Sequence, residues 1–126
     1  MQTSASKTVF ILDDEPGTVS YLDGLFSTFF PEIVVAGSAQ NLESACLKIA
    51  HSKPDLILVD IELSGQSGFD LPFHLKAWIP ELKPVFLFIS ADEKYGKLAI
   101  NHPGSFFLSK PIQIQALKDI IARLSE

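Results

Sequence analysis

The chain has 126 residues, 47% hydrophobic and 20% charged, with ten basic against fifteen acidic side chains and a net charge of −5. That composition describes one globular domain able to bury a core, and it excludes a disordered chain. The lysines are scattered singly, which excludes direct nucleic-acid contact, because affinity for a phosphate backbone comes from clustered Lys and Arg. A single cysteine, Cys46, rules out an internal disulfide and reads as a small buried helix residue. Met1–Lys7 is polar, lacks the apolar centre of a signal peptide and is expected to be disordered. No apolar run reaches the roughly 18 residues needed to span a bilayer, so no membrane association and a cytoplasmic location are expected.

Taken in chain order, short apolar runs alternate with amphipathic stretches. Thr8–Leu12 is continuously apolar after its first residue and reads as a strand buried on both faces. Pro16 opens a helix at a position where its missing N–H costs nothing, and Val19, Leu22, Leu25, Phe26 and Phe29 give that helix one apolar face before Pro31. Gly17 and Gly24 within it suggest close packing. Ile33–Gly37 is a second strand, Asn41 to about His51 a second helix, and Asp55–Asp60 the strongest strand signal. Ser64–Gly68 is a turn, followed by a helix from about Phe69 to Trp78, whose tryptophan reads as packing. Val85–Ile89 is a fourth strand, about Glu93 to Asn101 a helix with a thin apolar face, and Ser105–Leu108 a fifth strand. Ile112, Ala116, Leu117, Ile120, Ile121 and Leu124 mark a last amphipathic helix. His51, His74 and His102 share no metal spacing and read as surface or loop residues.

Alternating strands and helices imply an α/β domain: a parallel sheet covered by helices on both faces. Ligands of such sheets bind at the carboxyl ends of the strands. There the chain places Asp13, Asp14 and Glu15 after the first strand and Asp60 at the end of the third. Ser90 follows the fourth strand, and Lys110 and Pro111 follow the fifth. Clustered carboxylates repel unless a cation compensates, and hard oxygen ligands favour Mg²⁺. A carboxylate is also a nucleophile towards phosphorus. Transfer of a phosphoryl group then needs mainly positioning and neutralisation of its equatorial oxygens, which a metal, Lys110 and the Ser90 hydroxyl can share.

Together, Ile11–Pro16, Asp55–Leu63 with Gly68, Ser90–Ala91 and Lys110–Pro111 resemble the receiver domain of two-component response regulators. The likeness runs over residues 8–126. It implies a flavodoxin-like, doubly wound five-stranded parallel sheet of order 2-1-3-4-5 with five helices, a three-layer sandwich. It further implies Asp60 as phosphoacceptor, Asp13, Asp14, Asp60 and the backbone carbonyl of Glu62 as Mg²⁺ ligands, Ser90 and Phe107 as switch residues, and a cis Lys110–Pro111 peptide. The implied partners are a sensor histidine kinase or a histidine phosphotransfer protein, and a downstream effector or fused output domain. A homodimer through the last helices is left open. Such a domain is no enzyme beyond its own phosphotransfer and autodephosphorylation. Leu63–Ser64 departs from the usual methionine-proline pair, and Phe107 replaces a tyrosine that would carry a hydroxyl.

Two other readings fit parts of the pattern. A small Mg²⁺-dependent aspartyl-phosphate phosphatase would use Asp13 as nucleophile and Glu15 as acid, but no cap insertion closes the site. A non-phosphorylated receiver-like binding module would leave the intact acidic set and lysine without a role.

Overall fold

The structure is a computed structural model, and it describes residues 7–99 and 101–124. Five parallel strands form one sheet: β1 (Lys7–Leu12), β2 (Ile33–Ala39), β3 (Leu56–Asp60), β4 (Val85–Ser90) and β5 (Phe106–Ser109), in the order β2-β1-β3-β4-β5. Their connections carry α1 (Pro16–Phe29), α2 (Leu42–Ser52), α3 (Leu71–Trp78) and α4 (Tyr95–Ala99), and α5 (Ile114–Leu124) follows β5. This is the expected flavodoxin-like arrangement.

The alternation of side chains along each strand divides the interior in two. Phe10, Leu12, Ile57, Val59 and Phe88 point to the side covered by α2 and α3, where Ala45, Cys46, Ile49, Leu71 and Leu75 meet them. Val9, Ile11, Leu56, Leu58, Leu87 and Ile89 point to the other side, against Leu22, Leu25 and Phe26 of α1 and Leu117, Ile120 and Ile121 of α5. Continuous apolar runs are therefore needed in β1 and β3, because both faces are covered. Each such side chain removed from water contributes about 1.5–3 kcal/mol.

Local chemistry sets the element ends. Pro16 occupies the first turn of α1. Asn41 caps α2 by accepting from the Ser44 N–H at 2.8 Å, and Lys53 ends it with φ 47°. The strand register then aligns the rim. Leu12 pairs with Val59, so Asp13 falls beside Asp60; Ser90 pairs with Ser109, so Lys110 comes next to the same edge.

Several expectations need correction. Of the segment expected to be disordered, residues 1–6 lie outside the described residues, and Lys7 opens β1 opposite Ile33. The expected Ser64–Gly68 turn is part of a two-stranded antiparallel ribbon that begins before it, Glu62–Leu63 with Gln66–Ser67, turning through Gly65 at φ 72°. A 3₁₀ turn, Gly68–Asp70, precedes α3. Helix α4 is shorter than expected, because only Ala99 of its residues is buried and little apolar surface holds its ends. Gly17 and Gly24 have nothing near the position of a side chain, so neither serves close packing. Trp78 is 53% exposed and is not core. His102 lies in the loop before β5, as expected, and there stacks on Phe69, with ring centroids 5.1 Å apart, in an aromatic group with Phe73 and Phe88.

Gly68 is where the loop after β3 folds back onto the strand. Its N–H donates to the Ile61 carbonyl at 2.8 Å. A side chain here would overlap the Asp60 carbonyl oxygen and lie 2.7 Å from Val59 Cγ1. Backbone and a buried valine cannot yield, so Gly68→Ala is expected to cost about 2 kcal/mol or more in urea unfolding. An unchanged midpoint would mean that the loop relaxes freely.

Candidate functional site

The site forms where the carboxyl ends of β1, β3, β4 and β5 meet. Asp13 is fully buried, and its Oδ1 accepts from the Glu15 N–H at 2.9 Å, turning the chain into α1. Glu15 stands at the N-cap of that helix without making a side-chain cap bond, so its carboxylate is available to the rim. Asp60, 4% exposed, accepts from the Glu62 N–H through Oδ1 at 3.1 Å and from Lys110 Nζ through Oδ2 at 3.3 Å. Lys110 also lies 3.0 Å from Asp13 Oδ2 and 3.4 Å from Glu15 Oε1. The Lys110–Pro111 peptide is cis, and the Lys110 N–H donates to the Ser90 carbonyl at 2.9 Å.

One ammonium thus serves three carboxylates. Burial, and then the negative charge of Asp13, lift Asp60 from the ordinary 3.8 to about 6, against the opposing pull of Lys110 and the Glu62 N–H. Burial alone would lower the Lys110 pKa; contact with Asp13 and the charges of Asp60 and Asp13 outweigh it and hold the group above its ordinary value.

The donor set suits a hard divalent cation. Asp13, Glu15 and Asp60 each offer a carboxylate oxygen within 4.8 Å of the others. Asp13 Oδ2 is buried and its one neighbouring cation among the described residues is Lys110 at 3.0 Å, an ammonium it shares with Asp60 and Glu15, so the group carries more negative charge than Lys110 answers. Asp14 lies outside this group, because its Oδ2 accepts from Ser64 N at 2.9 Å and Ser64 Oγ at 2.6 Å.

Ser90 is buried; its Oγ donates to Glu62 Oε1 at 3.1 Å and accepts from the Asp92 N–H at 3.0 Å. Phe106 and Phe107 pack against opposite sides of the sheet. Phe107 is half-buried beside Gly96 of α4, where a side-chain carbon would come within 3.2 Å of its ring. The sequence reading placed Glu15 on this rim without naming it a metal ligand, set the Glu62 side chain only at the flank of the site, and gave Ser64 no contact in it. Glu15 was signalled only by its place in the acidic run Asp13–Glu15, and the Ser64 contact by nothing local.

Residues 9–122 match the family model of the response regulator receiver domain. The chain belongs to that family. The receiver is 30% identical to the sensory transduction protein LytT of Bacillus subtilis over 91% of this chain and 46% of that protein. It is also 30% identical to LytT of Enterococcus faecalis, over 94% and 48%. The chain therefore spans about half the length of these curated relatives. Among solved structures, the receiver domain of the Erythrobacter litoralis PhyR response regulator superposes with a TM-score of 0.75 at 27% identity, over 94% of this chain and 89% of that one. A CheY-like receiver domain from Methylobacillus flagellatus gives 0.78 at 22%, over 93% and 97%, and bears on the fold.

The raised Asp60 pKa sets a stability profile for the metal-free receiver. Between about pH 4 and 6 the folded chain keeps a proton on Asp60 that the unfolded chain has lost, so this group makes stability fall as pH rises and the cost is complete above that window. Asp60→Asn is expected to raise the melting temperature at pH 7.5, by about 1–3 kcal/mol in stability, with the gain shrinking towards pH 4. A gain independent of pH would show that ionisation of Asp60 is not its source.

Proposed function

We propose that Asp60 accepts a phosphoryl group from a phosphohistidine on a sensor histidine kinase or a histidine phosphotransfer protein, as one step of a two-component phosphorelay. The observation that carries this reading is the nearly buried Asp60 carboxylate at the end of the central strand, 3.3 Å from Lys110 and grouped with Asp13 and Glu15. A carboxylate oxygen of Asp60 attacks phosphorus, the bond from phosphorus to the histidine nitrogen breaks, and the imidazole leaves with that electron pair. The product is an acyl phosphate on Asp60.

Asp13, Asp14, Asp60 and the backbone carbonyl of Glu62 would hold Mg²⁺, with Glu15 as a neighbouring carboxylate. When bound, the ion supplies positive charge to the phosphoryl oxygens. Lys110, already aimed at Asp60, binds a second oxygen. Ser90 binds a third once its hydroxyl leaves Glu62, which draws the loop after β4 towards the phosphate. The added −1.5 to −2 charges (roughly, at pH 7) supply the pull. Phe107, packed beside the bare Gly96, then turns inward and changes the face made by α4, β5 and α5. That is a shift between two populations of one fold.

A downstream effector, a fused output domain or a second copy of the chain would read this face. The domain acts in the cytoplasm, touches neither nucleic acid nor membrane itself, and turns over no diffusible substrate beyond its own phosphotransfer and autodephosphorylation. Among the described residues no helix is long and apolar enough to cross a membrane.

Intact mass after incubation with acetyl phosphate and Mg²⁺ tests the reading. The expected result is a gain of one phosphoryl group that disappears with Asp60→Asn and with EDTA, and falls at least about tenfold in rate with Lys110→Ala. Undiminished labelling of Asp60→Asn would remove Asp60 from the role.

A further inference from the structure

We propose that Ser64 is a positioning residue for the metal site: it holds the Asp14 carboxylate outside the Asp13, Glu15 and Asp60 cluster and so weakens the binding of a divalent cation. The inference rests on the metal-assisted reading above.

Two donors of Ser64 converge on one oxygen. The backbone N–H reaches Asp14 Oδ2 at 2.9 Å and the hydroxyl reaches the same atom at 2.6 Å. The second is short, as hydrogen bonds to an ionised acceptor are. Asp14 makes no ion pair among the described residues, whereas its neighbours Asp13 and Glu15 both face Lys110. Its negative charge is therefore answered by Ser64 alone on this side, and its oxygens fall outside the group that could share one ion. The geometry of Ser64 is itself held. It lies at the turn of the Glu62–Leu63 and Gln66–Ser67 ribbon, where Gly65 takes φ 72°, and the ribbon is anchored to α2 by Gln66 Oε1 accepting from the Leu42 N–H at 3.0 Å. The loop after β3 thus reaches across to the loop after β1 and keeps one acidic side chain in reserve.

For Asp14 to join a cation in the cluster, its carboxylate must give up part of this double bond. Metal binding and the Ser64 contact therefore compete. Removing the hydroxyl leaves the weaker backbone bond and frees the carboxylate to turn. Ser64→Thr keeps the hydroxyl and is the control that separates this competition from a general effect of altering the loop.

The test is a Mg²⁺ titration of the whole chain followed by calorimetry and by backbone amide NMR, for wild type, Ser64→Ala and Ser64→Thr. Wild type is expected to saturate, with the Ser64 amide signal moving in step with those of Asp13 and Asp60. Ser64→Ala is expected to bind about three- to tenfold more tightly, the size of one ordinary net hydrogen bond, and Ser64→Thr to stay near wild type. Saturable binding that is unchanged or weaker in Ser64→Ala would overturn the competition while leaving the metal site intact. Absence of saturable binding in all three proteins would overturn the metal-assisted reading and this inference with it.

Discussion

Lys110 is the contact on which the rim of this sheet depends. It stands 3.0 to 3.4 Å from three carboxylates, two of them almost wholly buried. The carboxylate oxygens lie within 4.8 Å of one another, and like charges that close cost roughly 3–4 kcal/mol per pair at an effective dielectric near 20, so Asp13 and Asp60 cannot share a dry edge without a cation between them. One ammonium does not neutralise three acids. The residue of that imbalance is visible in Asp60, held near a pKa of 6. A site with surplus negative charge is stable only because the rest of the domain holds it, and it is primed to accept positive charge or to be neutralised.

What holds it is the central strand. Every residue of β3 is buried, and its two faces feed separate apolar clusters. Neither cluster can shift without disturbing the other, since both are built on alternate residues of the same strands. Asp60 is the last residue of that strand, so its backbone is as rigid as the core beneath it. Gly68 closes the following loop directly on its carbonyl. By contrast, the groups expected to move sit in thinner surroundings: α4 buries one residue, and Phe107 is only half covered. Rigidity under Asp60 and looseness beside it are what the proposed switch would require.

The principal site residues were legible because each lies at the end of a short apolar run, where a parallel sheet must place its carboxyl edge. Asp13, Asp60, Ser90 and Lys110 follow from that rule with no knowledge of side-chain direction. The contacts among the loops were not legible. Ser64 meets Asp14 across 50 residues and Ser90 meets Glu62 across 28. Those pairings depend on rotamers and on a ribbon turn that two-residue strands are too short to announce. The stacking of the loop residue His102 on Phe69 was not legible for the same reason: an isolated imidazole carries no periodicity, and its partner is brought to it by the fold.

The sequence by itself determined the order of elements, the parallel sheet and the identity of the charged residues at its rim, because hydrophobic periodicity and chain connectivity are properties of the chain. Only the tertiary structure decided which acids share a cation's reach. It drew Glu15 into the cluster and tied Asp14 to Ser64. The choice between two adjacent carboxylates on one loop turns on where a neighbouring loop presents its donors, and that is settled by packing between segments far apart in the chain.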